Sequence, residues 1–363
     1  MRGDEPGGKA HMENFRVGLT RDFLTPNGEL ALALGDIGLE KLRNFRGVSA
    51  EFFAEHLPEV TPAQIAECDA VISLAPRYAR ATLVGNSRLA CLARFGVGYD
   101  MVDVDALTEH DVILTITPDG VRRPMATAVI TLLLALAHEL FVKDRLVREG
   151  RWQERTNIKA TGLTGRSFGS IGLGNIAREV FRLLEPFEMV HLAADPFVKP
   201  EEAASLRVEL VDMETLMRRS DFVSVHCPLN AQTRGLIGER ELSWMKPAAY
   251  LINASRGSIV DQSALYRALK ERKIRGAALD VFEKEPVPGD EPLLKLDDVI
   301  LTPHTVCWTD ECFRRMGESA VESVLAVLRG EIPPYVVNRE VLEKPGMRAK
   351  LEANRARWRA NSQ

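Results

Sequence analysis

Three polar side chains in the second half of this 363-residue sequence each stand just past a short run that reads as a strand. They are Arg256 in Asn253-Ala254-Ser255-Arg256-Gly257, Glu285 in Asp280-Val281-Phe282-Glu283-Lys284-Glu285-Pro286, and His304 in Thr302-Pro303-His304. In a parallel sheet the C-terminal strand ends share one edge, where ligands bind, so the three can converge there. Together they suit one reaction. A guanidinium grips a carboxylate through two parallel hydrogen bonds. An imidazole near neutral pH supplies a proton to a forming alkoxide. A carboxylate beside it stabilises the protonated ring. That set is what reducing a 2-oxo acid requires. Singly, each residue has a plain alternative: a surface ion pair for Arg256, loop charge for Glu285, a structural histidine for His304.

Upstream, Ser170-Ile171-Gly172-Leu173-Gly174-Asn175-Ile176-Ala177 sits where a strand turns into a helix. Gly172 suits the tight turn, Gly174 allows close approach of a pyrophosphate, and Ala177 takes the small position where helix packs on sheet. The amides of Asn175 and Ile176 open the helix, whose N-terminus favours anions. Asp195 ends the next strand about 20 residues on, the spacing at which a carboxylate reads ribose hydroxyls and repels a 2′-phosphate. No arginine adjoins it, which favours NAD over NADP. The alternative is a structural glycine turn with a surface aspartate.

The elements that must hold these groups alternate along the chain. Strands are predicted over 15–20, 70–74, 89–93 and 112–115, with a helix over 104–109. A second series covers 167–172, 189–194, 222–226, 249–253, 276–281 and 299–301. A long apolar helix (about 125–148) separates the series, and a helix over about 309–329 closes them. Strands joined by helices imply parallel sheets with right-handed crossovers. We read an α/β chain of two domains, one inserted in the other: 13–120 and 306–340 form one, 121–305 the second. Residues 1–12 and 341–363 are terminal extensions. The first is a polar leader; the second is a solvated or subunit-contacting helix carrying Arg348, Lys350, Arg355, Arg357 and Arg359.

Composition narrows the function classes. Apolar residues make up 45% and charged residues 27%, as in globular proteins, and a net charge of −4 offers no surface for nucleic acid. Five cysteines without CxxC spacing read as reduced thiols, not as a disulfide framework or a metal site. The apolar run 125–137 is short of a membrane span and the N-terminus lacks a signal-peptide core, so a cytoplasmic protein is expected.

With these residues assembled, the chain resembles the D-isomer-specific 2-hydroxyacid dehydrogenases. The matching stretches run in family order: Ala93-Arg94-Phe95-Gly96-Val97-Gly98-Tyr99-Asp100, the Gly172 turn, His226-Cys227-Pro228-Leu229 with Thr233, residues 253–257, 280–286 and 302–304, and Pro333-Pro334-Tyr335-Val336-Val337-Asn338. The resemblance implies a Rossmann-type NAD-binding domain inserted in a flavodoxin-like substrate domain, usually paired as a homodimer. It implies that Arg256 binds the substrate carboxylate and keto oxygen, that Glu285 pairs with the acid/base His304, and that Glu283 is a decoy. Asp280 would hold the nicotinamide carboxamide; Cys227, Pro228, Thr233 and Ala254 would line the cofactor, and Val97 and Gly98 the substrate. The D stereochemistry comes from the resemblance alone.

The sequence departs from the family at Asp119-Gly120-Val121-Arg122-Arg123-Pro124-Met125-Ala126-Thr127, where a glutamate is replaced by Thr127 and two arginines with a proline open the long helix. Arg77 falls where phosphoglycerate dehydrogenases carry basic residues, so Arg77, with Arg122, is a candidate reader of a second anionic group; ordinary surface ion pairing is the alternative. Two other functions compete with this reading. A non-enzymatic NAD(H) sensor does not need the proton donor, and a formate-type dehydrogenase pairs its histidine with glutamine, where this chain has Glu285.

Overall fold

A computed structural model describes residues 14–31 and 34–362. The leader expected over 1–12 lies outside them. The chain divides into two compact units: the described residues up to Val121 together with those from Thr309 onward, and Arg122–Trp308.

The first unit holds a five-stranded sheet in the order β2-β1-β3-β4-β5, formed by Phe15–Leu19 (β1), Val48–Phe52 (β2), Ala70–Ser73 (β3), Cys91–Arg94 (β4) and Ile113–Thr115 (β5). The second holds seven strands in the order β12-β11-β10-β9-β6-β7-β8: Ser167–Ile171 (β6), Val190–Ala194 (β7), Glu209–Leu210 (β8), Phe222–Val225 (β9), Tyr250–Asn253 (β10), Gly276–Leu279 (β11) and Val299–Leu301 (β12). Every pair is parallel. The sequence explains why. Phe222, Tyr250, Ile252 and Ala278 pack on one face of the larger sheet, while Val223, Val225, Leu251, Ala277 and Leu279 pack on the other. A strand apolar on both sides must be covered by helices on both sides, which is the parallel arrangement. Order reverses beside β6, with β7 on one flank and β9 on the other, and that switch point opens the crevice where nucleotides bind.

Three expectations need correction. Strands β2 and β8 went unrecognised: both are edge strands, β2 only half-buried and β8 two residues long, so neither carries a strong apolar alternation. The long helix is two helices, Pro118–Ala137 and Leu140–Arg148. Glu139 breaks them in the left-handed region (φ 52°), where its carboxylate accepts from Tyr250 Oη at 3.0 Å and Arg275 Nη2 at 2.7 Å. Pro124 lies inside the first helix and does not open it. That helix is long and apolar enough to cross a membrane, yet Ala126, Val129, Leu132, Leu133 and Leu136 are buried in the core of the second unit.

The basic tail is the third correction. Pro345–Ser362 is one helix packed by one face into the first unit, so it is part of that unit and not an extension of it, while Arg348, Arg355 and Arg359 remain exposed. Lys350 Nζ donates to the carbonyls of Leu89, His110 and Asp111 at 2.7–3.0 Å. Arg357 forms an ion pair at 3.1 Å with the buried Asp69, and Trp358 stacks on Phe45. These partners precede strands β3, β4 and β5, so the helix covers the N-terminal edge of the sheet.

Candidate active site

The Gly172 turn links β6 to the helix Asn175–Leu184. Gly172 has φ 96°, and a Cβ there would come within 2.9 Å of Cys227 N and 3.0 Å of His226 C, so only glycine fits. A Cβ on Gly174 would meet nothing within 4 Å, and Gly174 and Asn175 are exposed. The turn is thus tight against the protein and open above. Ala177 is fully buried against the core, as the close packing of helix on sheet demands. Asn175 and Ile176 lie in the first turn, whose amides have no intrahelical acceptor. Asp195, just past β7, accepts from Leu173 N (2.8 Å) and Phe197 N (2.9 Å), each on a different carboxylate oxygen. An ionised carboxylate has lone pairs beyond these two, so it can still accept from a diol. An open turn, unpartnered amides and a carboxylate at the next strand end fit a dinucleotide.

Beyond β9 the residues 227–233 form a closed loop. Thr233 Oγ1 donates to Pro228 O at 2.6 Å, and Ser255 Oγ, next to Ala254, donates to Cys227 O at 2.7 Å. Burial pushes the Cys227 thiol up to about 11, so it lines the loop as a neutral group.

Arg256, Glu285 and His304 come together at the C-terminal edge of the larger sheet. Asn253, buried at the end of β10, donates through Nδ2 to Arg256 O at 3.0 Å and accepts from Ser255 N, which fixes the loop. Gly257 is a residue that sequence reasoning passed over. A Cβ there would fall 1.9 Å from Phe282 C, so this loop lies directly on the backbone of the Glu285 segment. One carboxylate oxygen of Glu285 accepts from Phe282 N at 2.9 Å; the other lies 2.8 Å from His304 Nδ1. Burial raises the Glu285 carboxyl, but the hydrogen bonds from His304 and Phe282 and the charges of His304 and Arg256 outweigh it and hold the group below the ordinary range. An ionised carboxylate only accepts, so Nδ1 carries its proton toward Glu285 and Nε2 is left for another partner. His304 sits at φ 57°, the left-handed region, with its N–H on Thr302 O at 3.1 Å. Such a backbone is tolerated where the surroundings impose it, often at functional sites.

Glu283 turns away from His304 and exchanges hydrogen bonds with Gln262. Asp280, almost fully buried, takes Thr302 Oγ1 (2.7 Å), Thr305 N (2.9 Å) and Val306 N (3.1 Å) on one oxygen. Burial raises its carboxyl against those hydrogen bonds. It fastens the loop that carries His304, a role the sequence did not signal.

Arg77, Val97 and Gly98 belong to the first unit. Arg77 is exposed beside Glu59, 3.8 Å away. Gly98 O accepts from Arg94 Nε at 2.9 Å, which holds the turn after β4. Arg122 is exposed and forms no ion pair among the described residues. Arg123 pairs with Glu179 at 2.8 Å, and Thr127 donates to Pro124 O at 2.8 Å, turning its hydroxyl back on its own helix.

A sequence model of the NAD-binding domain of the D-isomer specific 2-hydroxyacid dehydrogenases matches residues 130–306. The chain is 41% identical over 284 residues to a glyoxylate reductase of Korarchaeum cryptofilum, covering 77% of this chain and 86% of that one. It is 40% identical over 269 residues to a D-3-phosphoglycerate dehydrogenase of Methanocaldococcus jannaschii, covering 74% of this chain and 51% of that one. The crystal structure of a glyoxylate reductase from Paecilomyes thermophila superposes with a TM-score of 0.77 at 26% identity, over 91% of this chain and 100% of that one.

Proposed function

The chain belongs to the D-isomer-specific 2-hydroxyacid dehydrogenases, NAD-dependent oxidoreductases of 2-oxo and 2-hydroxy acids, and from that premise we propose a reductase of small 2-oxo acids in which Arg256, Glu285 and His304 do the chemistry. The observation that carries the assignment is the 2.8 Å contact between His304 and Glu285, beside Arg256, on the same strand-end edge as the Gly172 turn. The cofactor, when bound, supplies the hydride. Arg256 holds the substrate carboxylate and polarises the keto oxygen. His304 delivers the proton from Nε2 to the oxygen that becomes the hydroxyl, while Glu285 fixes the ring and stabilises its charge. A sensor that only bound NAD(H) would have no use for this pair.

For the cofactor we propose NAD, held by the Gly172 turn and the Asn175 and Ile176 amides, with Asp195 on the adenosine ribose and the loop Cys227–Thr233, with Ala254, beside it. A 2′-phosphate would meet the Asp195 carboxylate. Among substrates, glyoxylate comes first, because relatives similar over most of their length are glyoxylate reductases. Arg77 carries the second-anion reading, supported by its exposed guanidinium and only a long contact to Glu59. A homodimer is supported by an apolar patch on Leu140, Phe141, Val147 and Trp152, each more than half exposed. Single exposed apolar residues are ordinary, but four on one helix and the turn after it mark an interaction site.

The deciding experiment is NADH and NADPH oxidation against glyoxylate, hydroxypyruvate, pyruvate, bulky 2-oxo acids and phosphorylated or dicarboxylic 2-oxo acids. NADH turnover with a small acid is expected; inactivity across the panel with NADH still bound would overturn the reading. In the same assay Asp195→Asn, which keeps an acceptor for Leu173 N but deletes the charge, is expected to narrow the preference for NADH over NADPH. Arg77→Ala is expected to raise KM for dianionic acids and to leave that for glyoxylate alone. An unchanged KM for every dianion would end the second-anion reading.

A further inference from the structure

The first two residues of the phosphate turn, Gly172 and Leu173, have all four backbone polar groups engaged by the protein. Gly172 N donates to Ala194 O at 2.9 Å, and Gly172 O accepts from Ser170 Oγ at 2.6 Å. Leu173 N donates to Asp195 Oδ2 at 2.8 Å, and Leu173 O accepts from Arg178 Nε at 3.0 Å. Arg178 stands in the helix that follows, and its Nη2 donates to Glu202 Oε2 at 2.9 Å in the helix Pro200–Ser205. Ser170 is fully buried, beneath the turn. The function proposed above uses neither Ser170, Arg178 nor Glu202.

Anion chemistry gives the arrangement a purpose. A pyrophosphate is attracted by amide hydrogens and repelled by carbonyl oxygens, and a glycine-containing turn is free to rotate its peptide planes. A flipped peptide would present an oxygen where a donor is needed. Donors that are already oriented cost no reorganisation when charge arrives. We infer that Ser170 and Arg178, the latter anchored by Glu202, are positioning residues that hold the two carbonyls of the turn inward, so that the amide sharing a peptide with the Leu173 carbonyl, Gly174 N–H, faces the pyrophosphate and neither carbonyl does. The guanidinium acts through the backbone, because Nε is committed to Leu173 O and Nη2 to Glu202. The inference rests on the nucleotide reading of this site.

The test is direct binding of NADH, ADP-ribose and adenosine to the whole chain, by calorimetry and saturation-transfer NMR. Adenosine reports the ribose end without the phosphates. Ser170→Ala and Arg178→Ala are each expected to weaken NADH and ADP-ribose by about tenfold, the scale of one lost hydrogen bond, and to leave adenosine within about twofold. Arg178→Lys restores one of the two contacts and should fall between. Glu202→Gln keeps an acceptor and should cost about two- to threefold. Wild-type affinity for ADP-ribose in both alanine variants overturns the inference, as does a proportional loss of adenosine, which would make the residues merely structural. Should Arg178→Ala fail to fold, Ser170→Ala decides. A wild-type chain that binds neither NADH nor ADP-ribose would instead overturn the nucleotide reading itself.

Discussion

Glu285 has two carboxylate oxygens and two duties: one accepts Phe282 N, which fixes the side chain in its own loop, and the other holds His304 Nδ1. Losing His304 removes the proton donor, so His304→Ala is expected to lower kcat by about 10²–10⁴-fold with NADH binding intact. Arg256→Ala deletes a charge-assisted contact and should lower kcat/KM by at least about tenfold, mostly through KM for the 2-oxo acid. The pH dependence follows from the direction of the Glu285 shift. A carboxyl held below the ordinary range supports its partner fully at neutral pH and loses that support only as pH falls through the lowered value. Any acid limb from Glu285 in kcat/KM is therefore expected below the ordinary glutamate range. Glu285→Gln should lower kcat of reduction at every pH, because the acceptor on His304 Nδ1 then carries no charge. A pH–rate profile of both proteins checks it.

At the level of elements, one contact decides whether the site assembles and a second whether the first unit holds together. Gly257 lets the Arg256 loop lie on the 282–283 peptide, and no side chain fits between them. Gly257→Ala is expected to destabilise the protein by about 1–3 kcal/mol. It should also cut kcat/KM more than Arg256→Lys does, because it displaces both loops at once; chemical denaturation and kinetics on the two variants give the comparison. The C-terminal helix is the second contact. Arg357 and Arg88 both face the buried Asp69. Removing Arg357 leaves that carboxylate one cation short, so Arg357→Ala should cost about 2 kcal/mol in urea unfolding, with unchanged KM for NADH. A loss confined to stability would separate this helix, at the N-terminal strand edge, from the ligand edge opposite.

For the molecule as a whole, the arrangement is two parallel sheets, each with candidate site residues beyond its C-terminal strand ends. The patch of Leu140, Phe141, Val147 and Trp152 lies in the second unit, away from those ends in sequence. Light scattering is expected to show a dimer, and Phe141→Asp with Val147→Asp should give a monomer that still binds NADH. A wild-type monomer at micromolar concentration would remove the homodimer proposal.

What the sequence determined by itself is local. A glycine pair between an apolar strand and an amphipathic helix, a carboxylate at the next strand end, and polar groups just past later strands all follow from side-chain type and short-range period. That legibility covers the α/β alternation and the residues brought together at Gly172, Asp195, Arg256, Glu285 and His304. The tertiary structure decided what depends on partners distant in the chain. Pro124 lies within a helix that begins at Pro118, and Glu139 breaks that helix because Tyr250 and Arg275 are there to meet it. The basic tail reads as solvated in one dimension, since its spacing is that of a polar helix. The charges of Lys350 and Arg357 are met by carbonyls and an aspartate some 240 to 290 residues away in the chain. Gly257 looks like any loop glycine until Phe282 is laid against it. Hydrophobic period is written along the chain; the pairing of charges and the closeness of two backbones are properties of the packed fold, and only folding reveals them.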